Sequence, residues 1–553
     1  MNAPAVPKTS ANIASHLPAM ARLDPARPAI ISPNGKGGWN TMSFGELDAM
    51  SDRIAHGFAA IGVTRGKRAV LLVPPGPDFF PLVFGIFKTG AVMVAIDPGI
   101  GRKALLQCLA EVQPEAFIGI PAAHVARVLF PKPFRSVTAN VTVGRRFLWG
   151  GHTLDEVKAL GRGGAFPMVE PSPNETAAIL FTSGSTGIPK GVVYSHEIFD
   201  SQVRMIRDAY RIAPGEIDLP TFPLFALFDP ALGMTAVLPE MDFRFPGRAD
   251  PAKLVDAMTT HRCTTMFGSP ALVDNLGRYG EAKGVKLPLL KRVLSSGAPV
   301  RVDVMQRMTA MLGPDAQVFT PFGATESLPV ASIGSREVLA ETGALAMTGR
   351  GVCVGRPDPA MTVRIIRISD EPIPTWSSEL EVPRGTIGEI TVAGPVVTRE
   401  YYARVEQTKA AKIVDGQRIV HRMGDVGYLD AQGRLWMCGR KSHRVETPNG
   451  PMFSTPVEEV LNAHPDVKRS ALVGVGPRGS QVPVVLLERE AARTSPDAQV
   501  IAEVKALATK HESTRAISHV HVYPGEFPVD RRHNAKIERE KLAVWATEKG
   551  LGR

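Results

Sequence analysis

Residues 177–196 read AAILFTSGSTGIPKGVVYSH, two apolar runs around a loop of small, hydroxyl-bearing residues. Thr182, Ser183, Gly184, Ser185, Thr186 and Gly187 can bring main-chain N–H groups and hydroxyls against phosphate oxygens, since glycine lets a backbone approach a ligand closely. Lys190 follows and can neutralise the charge gathered there. This is phosphate-loop chemistry without the Walker spacing G-x-x-x-x-G-K-[ST]. Further on, TPFGATES (320–327) sets Glu326 in a Gly/Thr-rich loop after an apolar run. A carboxylate there suits Mg²⁺, which takes its other ligands from phosphate oxygens and water. Phe322 offers a flat face to a base. HRMGDVGYLD (421–430) reads as a turn in which Asp425 can accept two hydroxyl hydrogen bonds from a ribose. Arg440 and Lys441 lie in GRLWMCGRKSHRVE (433–446), and Lys536 in the basic loop FPVDRRHNAKIERE (527–540). Taken singly, the last four stretches read equally well as a strand end, a solvated turn and two charge runs.

Elements must hold these loops. Ser43 with Glu46 forms an S-x-x-E capping pattern, and apolar residues from Leu47 to Ile61 recur at helical spacing, predicting a helix over 43–62. RAVLLV (68–73) reads as a buried strand, PDFFPLVFGIFKTG as a helix and AVMVAID (91–97) as a strand. The alternation returns at 263–269, 292–299 and 316–326, which argues for α/β layers on a largely parallel sheet. From about residue 360 short strands separated by turn residues predict a β-rich subdomain. A last α/β piece follows Arg440: a helix at TPVEEVLNAHP, strands at SALVGVG and VPVVLLE, a helix near 499–511 and a strand near 518–523. The expected boundary is near 440.

The chain of 553 residues is 44% apolar and 21% charged, ordinary globular usage. Four scattered cysteines form no CxxC pair, which argues against a zinc cluster or a disulfide framework and fits a reducing, cytoplasmic setting. The most apolar stretch, 79–96, is broken by Pro81 and Lys88, so no transmembrane helix is expected. No signal peptide and no nucleic-acid-binding motif is recognised. The net charge of +10 fits an anionic partner, a nucleotide or an acidic membrane surface, or simply a solvated basic face.

The order of the motifs resembles the adenylate-forming superfamily of acyl-CoA synthetases, firefly luciferase and nonribosomal-peptide adenylation domains. The likeness covers nearly the whole chain. TSGSTGIPKG looks like the phosphate loop of that family, LSSGAP and PFGATE like its adenine and magnesium segments, GEITVAGPVV and GDVGYLD like two further core motifs, and AKIER like its terminal lysine motif. The resemblance implies an α/β fold: a large N-terminal domain (1–440) of two α/β subdomains plus a small β-barrel at about 360–440, then a small mobile α+β lid domain (441–553). It implies ATP and Mg²⁺. Thr182, Ser183, Gly184, Ser185, Thr186, Gly187 and Lys190 would hold the outer phosphates. Gly297, Ala298, Pro299, Phe322, Gly323 and Ala324 would line the adenine pocket. Thr325 would touch the α-phosphate, Glu326 bind Mg²⁺, Asp425 hold the ribose and Arg440 reach ribose or phosphate. Lys536 would bridge the substrate carboxylate and the α-phosphate. Lys536, Lys190 and Thr325 are the catalytic residues it implies.

Several stretches depart from acyl-CoA synthetases. Ala226 in FPLFALFDP stands where most of them carry histidine, Ser442 stands where many carry aspartate, and RVETPNGPMF and RRHNAKIERE each look about two residues long. These departures, with TPFGATESLPV, most resemble the β-lactone-forming branch of the superfamily in bacterial long-chain olefin biosynthesis. That likeness implies adenylation of a long-chain 2-alkyl-3-hydroxy fatty acid and attack by its own hydroxyl, with no use of CoA. It leaves room for association with other enzymes of that pathway or with a membrane surface. TFPLFALF reads either as the wall of a dry acyl pocket or as core. His196, Asp229 and His443 are candidates for the base. An acyl-CoA synthetase, an acyl-AMP ligase and a catalytically silent acyl-binding member remain the competing readings.

Overall fold

The computed structural model describes residues 10–552 apart from 162, 183–188, 492 and 531–535. The first half of the chain builds a seven-stranded sheet in the order His152–Thr153, Ala139–Thr142, Ala116–Gly119, Arg68–Leu72, Val92–Ala95, Thr176–Phe181, Gly191–Ser195. All neighbours are parallel except the last pair. The strands are short and nearly all apolar because helices cover them, as a parallel sheet requires. One of those helices, Phe44–Ala60, starts at the anticipated capping box, with Ser43 and Glu46 each accepting the other's main-chain N–H. Another, Phe79–Lys88, is buried throughout. Its terminal Lys88 is paired there by 2.6 Å contacts to Asp48 and Asp52.

A second sheet of fourteen strands begins as a parallel α/β layer. Its central strands are Ile217–Pro220, Thr265–Gly268, Arg292–Ser295 and Gln317–Ala324. The anticipated strands at 263–269, 292–299 and 316–326 are therefore present. The β-rich segment, expected as a separate texture from 360, is continuous with this layer. Ser327–Gly334 pairs with Val352–Pro357, which pairs with Leu435–Arg440 and so carries the sheet on into Arg418–Leu429, Gly388–Ala393 and Thr362–Ile366.

Beyond Arg440 come the helix Ser454–Leu461 and a three-stranded sheet of Val467–Val475, Val482–Arg489 and His519–Val522, with the helix Asp497–Ala508 against it. The segment anticipated as an overlong loop, 444–453, is a β-hairpin of Val445–Thr447 and Gly450–Met452 around a two-residue turn at Pro448 and Asn449. No helix among the described residues is long and apolar enough to cross a membrane.

Candidate active site

A cleft of about 1890 Å³ is walled by both large sheets and by the segment after residue 440. Thr182 and Lys190 line it, and Thr182 N donates to Lys190 O at 3.0 Å. Ser183, Gly184, Ser185, Thr186 and Gly187 lie outside the described residues. Lys536 lines the cleft as well: its N–H donates to Asp530 Oδ1 at 2.8 Å, and Asp530 N donates to Lys536 O at 2.9 Å. Two lysines, Lys190 and Lys536, thus line the same cleft, each held through its main chain.

Opposite them, Gln317–Ala324 and Ser327–Gly334 form a hairpin whose turn is Thr325 and Glu326. Gly323 is required there, because a Cβ would come within 2.7 Å of Ser327 O. Tyr194 donates its hydroxyl to Thr325 O. Thr398 fixes the Glu326 carbonyl with its N–H at 2.9 Å and its hydroxyl at 3.1 Å. The Tyr401 hydroxyl donates to Glu326 Oε1 at 2.6 Å. Tyr401 is anchored from the other side, since residues 400–402 pair with the edge strand Gly191–Ser195 through Tyr402 N to Gly191 O at 2.7 Å and a bridge to Val192.

Two ammonium groups flank the Tyr401 ring, Lys190 Nζ 4.4 Å and Lys412 Nζ 6.0 Å from its centroid. Burial lowers the pKa of Lys190, and Glu326 opposes that effect. Lys412 is buried and donates to Thr398 O at 2.5 Å. Its burial brings it down to about 7, with Lys190 adding to the shift and Glu326 opposing it.

Asp425 and Arg440 sit opposite each other on adjacent antiparallel strands, and Arg440 Nη1 donates to Asp425 Oδ1 at 2.9 Å. The expectation of a turn at Asp425 is corrected: it lies inside the twelve-residue strand Arg418–Leu429. The glycine that suggested a turn, Gly424, has φ of 68° beside a register shift in the pairing with Gly388–Ala393, so it marks a bulge. Asp425 raises the pKa of Arg440 and keeps the guanidinium charged.

Gly297, Ala298 and Pro299 follow the strand Arg292–Ser295 and face the cleft with Phe322, Gly323 and Ala324. Every described residue of the anticipated site therefore lines one cavity. Its other arm is apolar. Phe222, Phe225, Phe228 and Phe267 wall it, with Phe225 stacked on Phe267 at 4.2 Å between centroids. Ala226 points into the core and is fully buried. Of the three candidate bases, His443 lines the cleft, with Nε2 3.0 Å from Glu540 Oε1. His196 is buried, its Nδ1 accepting from Ile13 N at 3.1 Å. Asp229 is buried beside Asp218, and burial together with that neighbour raises its pKa well above the usual carboxylate range.

An AMP-binding enzyme family model matches residues 17–402. The chain is 50% identical to an olefin β-lactone synthetase of Xanthomonas campestris pv. campestris over 98% of both chains. It is 49% identical to one of Stenotrophomonas maltophilia over 97% of this chain and 98% of the relative. The chain belongs to the AMP-binding enzyme family, in the group of the olefin β-lactone synthetases. The chain is an AMP-forming, ATP-using ligase. The fold is shared with the amide bond synthetase McbA of Marinactinospora thermotolerans, at a TM-score of 0.79 and 21% identity over 97% of this chain and 99% of that one. Sequence reasoning missed Tyr194, Thr398, Tyr401 and Lys412, which lie outside the motifs it matched. Lys412 opens the strand Lys412–Asp415 and reads locally as one more surface charge.

Proposed function

We propose that this AMP-forming ligase adenylates a long-chain 2-alkyl-3-hydroxy fatty acid and closes the product to a β-lactone. The observation that carries the proposal is near-half identity, over almost the full length, with two olefin β-lactone synthetases. A cleft with one polar and one apolar arm supports it.

In the first step a carboxylate oxygen attacks the α-phosphorus of ATP, the bond to the β-phosphate bridge breaks, and pyrophosphate leaves. Lys190 and the loop from Thr182 hold the outer phosphates. Phe322 and the segment Gly297, Ala298, Pro299 receive the adenine, and Asp425 accepts from the ribose hydroxyls with Arg440 beside it. Lys536 approaches the substrate carboxylate and the α-phosphate, where its charge matters most as the bond forms. Thr325 borders the same phosphate. Glu326, a carboxylate at the hairpin turn lining the cleft, would hold Mg²⁺, which prefers oxygen ligands. Mg²⁺ held there neutralises phosphate charge.

In the second step the substrate's β-hydroxyl oxygen attacks the acyl carbon, the bond from that carbon to the phosphate oxygen breaks, AMP leaves and the hydroxyl proton is released to solvent. The nucleophile is tethered, so attack gains effective concentration without a second substrate. The phenylalanine-walled arm keeps water from the mixed anhydride. The segment 441–553 acts as a lid hinged after Arg440, within a two-domain division at 440. All four cysteines are free and buried, which fits a cytoplasmic setting.

The test is product analysis by proton NMR after incubation with ATP, Mg²⁺ and a long-chain 2-alkyl-3-hydroxy acid, with and without CoA. A β-lactone without CoA is expected. A thioester formed only with CoA overturns the proposal in favour of an acyl-CoA synthetase.

A further inference from the structure

The helix Pro121–Leu129 has two apolar sides. Ala123 and Ala126 line the cleft, while Val125, Val128 and Leu129 are exposed. The adjoining loop adds Phe147 and Leu148, and the five exposed side chains range from 46% to 104% accessible. Loop and helix are joined: Arg127 Nη2 donates to Trp149 O at 3.0 Å, and His124 stacks on Trp149. Isolated exposed apolar residues are common, but a contiguous group on joined elements marks an interaction surface.

Its surroundings are basic. Residues 101–150 carry seven Lys or Arg and two Glu. Both glutamates are engaged elsewhere, Glu111 with Arg404 at 2.5 Å and Glu115 with Arg68 at 3.1 Å. Among the described residues no carboxylate pairs with Arg102, Lys103, Lys132, Arg135 or Arg145, all exposed. Arg102 lies 5.4 Å from the centroid of Phe130 and Arg145 5.4 Å from that of Phe147, so charge and apolar surface interleave. Apolar side chains that enter the acyl boundary, ringed by cations that meet headgroups, are what an anionic lipid surface binds.

We infer that the face made by Pro121–Leu129 and residues 144–149 docks on an anionic lipid surface. The wall that carries this face also bounds the cleft through Leu105, Leu106, Ala123, Ala126 and Phe134, so docking places the cleft beside a reservoir of long acyl chains. Only this last consequence rests on the proposed substrate. Membrane binding is read without turnover, so it stands or fails separately from the lactone assay.

The experiment is co-sedimentation of the full chain with vesicles of phosphatidylcholine alone or with roughly one-third phosphatidylglycerol. Binding to the anionic vesicles, weakened about tenfold or more by high salt and by the combined Phe147→Ser, Leu148→Ser and Arg145→Glu changes, is expected. ATP–pyrophosphate exchange with a short soluble acid should be unchanged in that variant, which establishes that it is folded. If the variant fails to fold, the salt and lipid dependence of the unaltered protein still decides. Absence of binding to anionic vesicles, equal binding to neutral ones, or an unaffected variant overturns the inference. So does a variant that only turns an oligomer into a monomer, since the face would then be covered by a second copy.

Discussion

Tyr401 is paired through its backbone with Val192 of one sheet and donates its hydroxyl, at 2.6 Å, to Glu326 on the other. It ties together the two walls of the cleft at the carboxylate proposed to hold Mg²⁺. Lys190 lies against the same ring, its Nζ 4.4 Å from the centroid.

Tyr401→Phe should raise the Mg²⁺ concentration for half-maximal adenylation about tenfold, the worth of one hydrogen bond to a charged group. Glu326→Gln should raise it far more steeply. Both are read from Mg²⁺ titrations of ATP–pyrophosphate exchange. An unshifted midpoint in Glu326→Gln would remove that residue from the metal site.

Lys536→Ala should lower the adenylation rate by about 10² or more while ATP affinity changes little, because the charge is needed as the bond forms. Calorimetry with ATP and single-turnover acyl-AMP formation separate the two. An unchanged rate defeats the assignment.

Asp425→Ala removes the partner of Arg440 together with the proposed ribose acceptor. An increase of at least about tenfold in KM for ATP, with little change in KM for the acid, is expected. Equal increases for both would place Asp425 outside the nucleotide site.

Lys412 carries a pH signature. Its folded pKa is lowered to about 7 by burial, below the ordinary lysine value. Between about pH 7 and 10 the unfolded chain therefore binds a proton that the folded chain has lost, and stability rises with pH, by at most about 1.4 kcal/mol per pH unit from this group. Lys412→Met should flatten that rise. Chemical denaturation at several pH values measures it, and an unaltered slope would mean that Lys412 keeps its proton in the fold.

Ala226 is fully buried in the helix Pro223–Ala226, beside the stacked Phe225 and Phe267. Restoring histidine, as most acyl-CoA synthetases carry, should destabilise the protein by about 1–3 kcal/mol through overpacking. Wild-type stability in Ala226→His would show that the core has spare room there.

Much of this arrangement was legible because it is local. The capping box at Ser43 and the loop flanks at Thr182, Glu326 and Lys536 follow from neighbours a few residues apart. Asp425 misled because glycine signals a turn and a bulge alike, and only the partner strand distinguishes them. The hairpin at 445–452 read only as an overlong loop, because its strand pairing is not visible in the sequence. Tyr401 and Lys412 acquire their setting from Glu326, some 75 positions from Tyr401 along the chain. No periodicity spans that distance, and a lysine destined for burial reads like one destined for water.

The unbroken pairing from Gln317–Ala324 to Arg418–Leu429 has a mechanical meaning. Glu326 and Asp425 belong to one hydrogen-bonded fabric, and their separation is set by strand spacing, which does not stretch. Lys190 hangs from a different fabric, and Lys536 from the terminal segment. A movement of these bodies would leave the span between Glu326 and Asp425, the proposed ribose acceptor, constant, like a gauge block, and would change only the distances to the lysines. Opening and closing would then alter the grip on phosphate and carboxylate while the nucleoside's length is measured the same way each time.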